Sequence, residues 1–581
     1  MSPISKDPGH LLTQLEAAKN NFHAGHATQI AELLHQLASL SLRDPHQLIR
    51  FHECLLFLRA FPHAESQVAR LENLLNGFHR RIEKLRAANA DMSLFDDFDT
   101  SGIAGTSMQD TLPFDVAQWL ARRIPRHIEI AWNDYWEDYQ GERARANTWP
   151  RFIPLLEEDA DVEATIPWPR WLDAACGRKQ PLSWLLDRFA RLPLPPRQRA
   201  ELYDSLRLPL RWRLENLKLS RTRNWSRPRQ FYFHNSSLIQ RSEVSLAREL
   251  ARSAPRFERL SIRGGKSVMN AIREIMLVRY RELYGTTLGD PRSVVRADLG
   301  RGVVMHFWGL PPNRRLPLRA YLAGYTLKNG VPINYVEAIG LCEWIEVGFN
   351  TFYTYRQGET AWIYAQALRC LCALTGAKCI SIYPYQIGQN NDEAIESGAF
   401  WFYRKLGFRS GRRDLQALCE REEKRIAADP RYRTPPRTLK RLAEAHMFYE
   451  LGTSPGSTRG HEGAWDRFST RNLGQLVSRR MAREFDGDSG KIRQASLAAV
   501  CRTLKINPRR FTADEQRALE DWALVLALIP GLPRWTGEEK RRVVAIIRAK
   551  AARDEMAYFR QTRGHVRLRE AVLRLGSPVT A

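Results

Sequence analysis

The chain has 581 residues, of which 44% are hydrophobic and 26% are charged. This composition is typical of globular proteins and excludes a fibrous or fully disordered chain, and the length suits about three to five domains. Lys and Arg outnumber Asp and Glu by 89 to 64, which gives a net charge of +25. A polyanionic partner must therefore be considered.

The sequence contains no run of 18 apolar residues, and its first ten residues lack the apolar stretch of a signal peptide. Its eight cysteines form no CxxC pair, and no His–Cys ligand spacing recurs. We therefore expect a cytoplasmic protein with reduced thiols, no membrane contact, no disulfide framework and no metal site.

Apolar residues recur at intervals of three and four through residues 1–90, which predicts a helical N-terminal region. Residues 91–112 are acidic and rich in small side chains, and this composition predicts a linker or an ordered surface loop.

Residues 113–240 hold nine of the 16 tryptophans and predict a Trp-rich, basic helical region. Between Arg207 and Arg229 there are eight basic residues and one acid, with Trp212 and Trp225 interleaved. Such a stretch could contact phosphates and stack on bases, so it is the best local candidate for nucleic-acid binding. The alternative is that the tryptophans pack inside an irregular helical domain.

In residues 241–452 the sequence pattern changes from predominantly helical to mixed helix and strand. Two helix-like segments come first, and the second begins near Gly264-Gly265-Lys266-Ser267, which resembles the end of a phosphate-binding loop. That motif requires a glycine at position 260, where this chain has Leu, so we reject a phosphate loop.

Residues 302–353 are rich in β-branched and aromatic side chains and predict consecutive strands. Asn329-Gly330 between two of them predicts a two-residue hairpin turn. A glycine-containing turn at 355–361 then opens a helix that ends at Gly376, and a further strand, a helix and a turn at Gly407 follow.

This order of elements resembles the GNAT N-acetyltransferase superfamily fold. The segment Ala399–Phe408, AFWFYRKLGF, matches the family ending A-x-x-x-Y-x-K-x-G-F, and the resemblance covers about residues 290–412. With the helical regions on either side, it predicts a multi-domain α+β protein in which residues 241–452 form a GNAT-like acyltransferase domain with flanking helices. The central sheet is expected to be mixed, mostly antiparallel and flanked by helices, between predominantly helical N- and C-terminal regions.

The resemblance also implies an acyl-coenzyme A co-substrate, acetyl-coenzyme A or a longer acyl form. The turn residues Arg356, Gln357, Gly358, Thr360 and Ala361 are its expected binding residues. A helix N-terminus offers backbone N–H groups and a positive dipole end to a pyrophosphate, and glycine permits close approach.

For the chemistry, the family pattern implies that Tyr403 protonates the leaving thiolate. Glu346, then Glu343, are the candidates to take the proton of the amine, because both lie on or beside a strand that enters the expected cleft. We expect Tyr383, Tyr385 and Gln386, on the later strand, to orient the acyl carbonyl.

Residues 453–581 predict a basic helical region, and residues 461–581 hold 24 Lys and Arg against 14 Asp and Glu. The leading prediction is an acyl-coenzyme A-dependent N-acyltransferase whose amine acceptor the sequence does not identify. Two alternatives stay open. One is a non-catalytic scaffold, favoured by the incomplete cofactor loop and by Glu396 where the family commonly has Asn. The other is a nucleic-acid-binding protein that uses Arg207–Arg229 and the C-terminal region.

Overall fold

The structure is a computed structural model that describes residues 7–577 except 24, 138–147, 157, 159–167, 281–283 and 453–462. Its backbone divides into two compact units, which are described separately. The first comprises Met1–Ser237, Asn270–Thr287 and Asn329–Pro332, and the second comprises Leu238–Met269, Leu288–Lys328 and Ile333–Ala581. The predicted domain boundary at 453 lies among the positions outside this description.

The first unit begins with helices that fall where the spacing of apolar residues predicts them. They are α1 (Pro8–Ala18), α2 (His26–Ser39), α3 (Pro45–Ala60), α4 (Glu65–Asn76) and α5 (Phe78–Ala87). Asp7 and Asp44 cap α1 and α3 by accepting backbone N–H bonds, and each is followed by a proline at the first helical position. Most of α3 is buried, and α1 and α4 contact it.

A small antiparallel sheet follows, with strand order β1–β3–β2. Its strands are β1 (Ser107–Thr111), β2 (Ile128–Ile130) and β3 (Pro209–Arg213). β1 lies within the interval 91–112, for which a linker or loop was expected. The difference arises because the partner strand β3 is about a hundred residues away, so no local pattern in this short polar segment signals the pairing.

Helices surround this small sheet and enclose an aromatic core. They are α6 (Phe114–Arg123), α7 (Trp132–Glu137), α8 (Trp168–Cys176), α9 (Pro181–Ala190) and α10 (Pro196–Ser205). Trp149, Trp184 and Trp212 are buried in the core of this unit. These three indoles therefore pack inside the protein, which is the second of the two interpretations that the sequence left open.

The second unit is built on a nine-stranded sheet with order β11–β12–β10–β9–β8–β7–β6–β5–β4. β9 and β10 run parallel, and the other pairs of known register are antiparallel. The strands are β4 (Phe257–Arg259), β5 (Val295–Asp298), β6 (Val303–Gly309), β7 (Ala320–Lys328), β8 (Val331–Leu341), β9 (Trp344–Thr351), β10 (Cys379–Ile382), β11 (Arg409–Ser410) and β12 (Met447–Glu450). The predicted α+β class with a mixed, mostly antiparallel sheet is confirmed.

The turn between β7 and β8 has the predicted form. Asn329 and Gly330 both adopt positive φ, 48° and 78°, as a type I′ hairpin turn requires. Asn is among the few side chains that tolerate this region, and glycine enters it freely.

Further helices follow from residue 246 onward, and those of their residues that lie within 270–287 belong to the first unit. They are α11 (Leu246–Ala251), α12 (Ile262–Leu277), α13 (Tyr284–Thr287), α14 (Thr360–Thr375), α15 (Asp392–Glu396), α16 (Ala399–Lys405), α17 (Arg413–Ala428), α18 (Pro436–Leu442), α19 (Thr470–Phe485), α20 (Ser489–Leu504), α21 (Ala513–Leu526), α22 (Gly537–Ala551), α23 (Glu555–Arg563) and α24 (Val566–Gly576). α14 joins the parallel strands β9 and β10 and ends at Gly376 in the left-handed region, as the sequence predicts. Across the described residues, no helix has both the length and the apolar character needed to cross a bilayer.

The Gly264-Gly265 pair lies inside α12 and not in a phosphate loop. The two glycines differ in their surroundings. A Cβ at Gly265 would lie 1.9 Å from the carbonyl oxygen of Pro291, whereas the nearest atom to a Cβ at Gly264 would be 3.4 Å away. Gly265 is therefore required by close backbone packing, and Gly264 is not.

We predict that Gly265→Ala lowers the thermal midpoint, by a destabilisation of about 1–3 kcal/mol, because backbone on both sides of the contact must move. Gly264→Ala serves as the matched control. It is expected to leave stability unchanged or raise it by up to about 1 kcal/mol, since alanine favours helix more than glycine does. Thermal unfolding of both variants measures the difference, and equal effects would contradict the packing account.

Candidate active site where two parallel strands part

The candidate site lies where β9 and β10 separate. Their parallel pairing covers only three positions, and it ends with Ser381 opposite Glu346. β9 continues to Thr351, but β10 ends at Ile382 and the chain turns into a short 3-10 segment, Pro384–Ile387. The β10-facing edge of β9 is thus open beyond Glu346 among the residues that the structure describes.

Gln386 enters this opening beside Gly348. A Cβ at Gly348 would lie 2.9 Å from Nε2 of Gln386, so the absence of a side chain at this position lets the amide approach the strand. The Oε1 atom of Gln386 is buried and has no hydrogen-bond partner among the described residues. A buried acceptor of this kind is available to a donor that enters the opening.

Glu346 is the centre of a polar cluster on one face of the sheet. Its carboxylate lies 2.9 Å from Nε2 of His446 and 3.8 Å from Nη1 of Arg319. The His446 ring packs edge-on against Tyr383, with 5.3 Å between ring centroids. A carboxylate beside an imidazole can receive and hold a proton, which is the property needed in a general base.

A second hydrogen-bonded pair lies on the same face. Side chains alternate along a strand, so Gly348 shares a face with Glu346, and Glu337 of β8 lies opposite Gly348. The hydroxyl of Tyr321 donates to the Glu337 carboxylate. The open end of β9 is therefore flanked by carboxylates, an imidazole, a guanidinium and phenols.

Glu343 has a different environment from Glu346. It lies in the turn before β9, at the end of the strand away from the opening. Its Oε1 accepts from Nε1 of Trp465 at 2.8 Å and from Nε of Arg569 at 2.6 Å. The side chains of Glu343 and Arg569 are both largely buried, 12% and 14% exposed. This geometry makes Glu343 an anchor for the C-terminal helices and leaves Glu346 as the base candidate at the opening.

Tyr403 lies on the opposite face of the sheet, among aromatic side chains. Its ring is 5.6 Å from that of Tyr364 on α14, and Tyr364 in turn lies 4.9 Å from Phe349 of β9. Burial raises the pKa of the Tyr403 phenol above its ordinary value. The phenol therefore stays protonated at neutral pH and can donate a hydrogen bond.

The turn at 355–361 opens α14 next to this aromatic group. The Gly358 N–H donates to the Tyr355 carbonyl at 2.9 Å, and the Thr360 hydroxyl contacts the Arg356 carbonyl at 3.3 Å. The Arg356 guanidinium pairs with Glu393. Gln357 is exposed and Ala361 is buried in the first turn of the helix.

Glu359, the N-cap residue of α14, is an acid that the sequence analysis did not consider. It is fully buried, pairs with Arg301 and lies 3.6 Å from Nζ of Lys328. Burial lowers the pKa of Lys328 to about 8, although Glu359 opposes the shift. The two basic groups offset the carboxylate, so the helix start is not dominated by negative charge.

Further positive charge surrounds the end of α16. The pKa of Lys405 is lowered by burial and then by the charges of Arg241 and Arg433. Each of the two guanidiniums therefore lies close enough to Lys405 to influence its charge. Tyr383 and Tyr385 lie after β10 and are 40% and 53% exposed, so both can contact a molecule in solution.

The basic stretch Arg207–Arg229, in the first unit, does not form a continuous solvent-facing patch. Trp212 is fully buried, and the Trp225 indole donates to the Asn329 carbonyl beneath the Arg59 guanidinium. Arg221 is buried in an ion pair with Glu53. The basic residues of this stretch that remain exposed are Arg207, Arg213, Lys218, Arg227 and Arg229.

Within the described ranges, no group of three His, Cys, Asp or Glu side chains is arranged to hold a metal ion. No protein-family profile, no curated protein and no solved structure matches the chain. The candidate site consequently rests on its own geometry.

The environments of Glu343 and Glu346 predict losses of stability of different size for the same substitution. Glu343→Gln leaves the buried Arg569 without its counter-charge and is expected to destabilise the protein by about 2 kcal/mol or more. Glu346→Gln removes contacts with partly exposed groups and is expected to cost less than about 1 kcal/mol. Thermal unfolding of the two variants tests this, and a larger loss for Glu346→Gln would contradict the assignment.

Proposed function

We propose that the second unit is an acyl-coenzyme A-dependent N-acyltransferase of the GNAT type. The observation that carries the proposal is the parting of β9 and β10 between a helix start on one face and the Glu346–His446 pair on the other. The acyl group would enter this opening from the face that carries the start of α14 and Tyr403. The acceptor amine would approach it from the opposite, polar face.

The strand order around the opening also supports the proposal. β9, α14, β10 and α16 follow one another along the chain, and the segment AFWFYRKLGF forms α16 and the turn after it. The resemblance in the sequence rests on these same elements. Tyr403 lies on the helix after the parting strands, as the resemblance implies.

The residues of the α14 turn would hold the pyrophosphate of the co-substrate. Backbone N–H groups at Thr360 and Ala361 and the positive end of the helix suit this role, because Glu359 is neutralised by Arg301 and Lys328. The Lys405, Arg241 and Arg433 charges would favour an additional phosphate. Acyl-coenzyme A supplies the activated thioester.

Side chains of the protein would accept and donate the protons of the reaction. The Glu346–His446 pair takes the proton that leaves the amine nitrogen as it forms the amide bond. The carbon–sulfur bond breaks, and the Tyr403 hydroxyl donates to the departing sulfur. Gln386 and Tyr383 border the path between the two faces and would orient the acyl carbonyl.

Nucleic-acid binding stays a prediction for the C-terminal region, where α19 exposes Arg471, Arg479 and Arg483. Nucleic-acid binding by this region would be a second function in addition to acyl transfer. Because Trp212 and Arg221 are buried, the stretch Arg207–Arg229 offers less support for this function than its sequence indicates.

We predict that the protein binds acetyl-coenzyme A and coenzyme A in a calorimetric titration. Gly358→Trp is expected to abolish binding, because an indole at the turn blocks access to the start of α14. Gly474→Trp is the matched control, since that glycine on α19 has open space around it. Loss of binding in both variants, or in neither, would contradict the placement of the co-substrate.

Catalysis is tested separately from binding, with acetyl-coenzyme A and a panel of amines. We predict that Glu346→Gln and His446→Gln each lower the rate of thiol release at least 100-fold while the affinity for coenzyme A stays within about threefold. Glu343→Gln is expected to keep the rate of the wild type at a temperature where it remains folded. Unchanged rates in the Glu346 and His446 variants would exclude the pair as the base.

A further inference from the structure

A second concave region lies on α14, apart from the strand opening. It is a cavity of about 500 Å³ between α14, the segment before α11 and the hairpin that joins β5 to β6. This size lies within the range of sites for small organic ligands.

The cavity uses the face of α14 that points away from Tyr403. Trp362, Gln366 and Arg369 line it. At 100° per residue these three positions fall within about 60° of one another, whereas Tyr364, which contacts Tyr403, lies on the opposite side of the helix. The cavity is therefore distinct from the aromatic group beside the strand opening.

The acidic side chains at the cavity already have partners. Glu249 accepts from Nε2 of Gln366 at 2.7 Å and pairs with Arg252 at 3.0 Å. Glu243 accepts the backbone N–H of Gln240 at 2.6 Å. Both carboxylates are therefore already hydrogen-bonded or ion-paired to residues around the cavity.

Unlike these two carboxylates, the Arg369 side chain has a buried polar atom to which no partner bonds. Its Nε atom has no hydrogen-bond partner among the described residues. A buried donor of this kind is costly unless an acceptor reaches it, and a guanidinium favours a carboxylate or a phosphate as that acceptor. Arg252 adds a second positive charge to the lining.

The remaining lining combines three aliphatic side chains with Trp362 and Arg301. Ile239, Val244 and Leu299 form the walls, and the guanidinium of Arg301 lies over the Trp362 ring with 5.7 Å to its centroid. Apolar walls beside a basic end suit a molecule that has an anionic group on an apolar body.

We propose that this cavity binds a small amphipathic organic anion, a carboxylate or a phosphate monoester carried on an aromatic or branched apolar group. Arg369 contacts the anionic group, and the side chains of Trp362, Val244 and Leu299 contact the apolar body. The inference does not rest on the proposed acyltransfer activity, because it uses other residues and the other face of α14.

The experiment is a calorimetric titration of the full chain with phenyl phosphate and with benzoate. Benzyl alcohol and benzylammonium serve as neutral and cationic probes of similar shape. We expect one equivalent of phenyl phosphate or benzoate to bind, at least tenfold more tightly than either of the other two probes. The tighter of the two anions identifies which anionic group the site prefers.

Two variants locate the site. Arg369→Met is expected to weaken anion binding at least tenfold, and Val244→Trp, which fills the cavity without changing its charge, is expected to abolish it. Arg479→Met on the exposed face of α19 controls for loss of one positive charge and should bind as the wild type does. Saturating coenzyme A should leave the affinity within twofold.

Several results would overturn the proposal. They are no binding of either anion, equal binding of benzyl alcohol, and unchanged affinity in both cavity variants. Displacement of phenyl phosphate by coenzyme A would show that the anion occupies the co-substrate site instead. Because Val244→Trp and Arg369→Met perturb different properties, one of them remains informative if the other does not fold.

Discussion

The candidate site depends on one constraint, the short pairing of two parallel strands. β9 and β10 exchange hydrogen bonds over three positions and then part, so the sheet has an opening in its interior. Backbone groups at such an opening require other partners. Gln386 reaches it because Gly348 carries no side chain, and α14 and α16 cover the opposite face. The polar cluster lies on one face of the sheet at this gap, and the aromatic group lies on the other.

Local signals predict the elements that surround the site. Alternating and β-branched residues predict the strands, Asn329-Gly330 predicts the hairpin, and Gly376 predicts the end of α14. Each of these features depends on residues close together in the chain. The same patterns predict that β9 and β10 exist, but they do not predict where β10 ends. β10 stops at Ile382, so Tyr383, Tyr385 and Gln386 lie after the strand, whereas the sequence predicts them on it.

The partners of the charged side chains are not predictable in this way. His446 lies 100 residues after Glu346, and only the antiparallel pairing of β12 with β10 brings the imidazole to the carboxylate. Arg569 lies 226 residues after Glu343. Two glutamates three positions apart thus acquire different roles from distant segments, and nothing in their local sequence separates them.

Hydrogen–deuterium exchange of the full chain with and without coenzyme A tests the central claim most directly. The account predicts slower exchange in two segments only, residues 356–363 at the start of α14 and residues 383–388 beside the opening. Protection of both, with the cavity segment 239–252 unchanged, would support a co-substrate at the parted strands. Protection that is absent, or confined to 239–252, would contradict it.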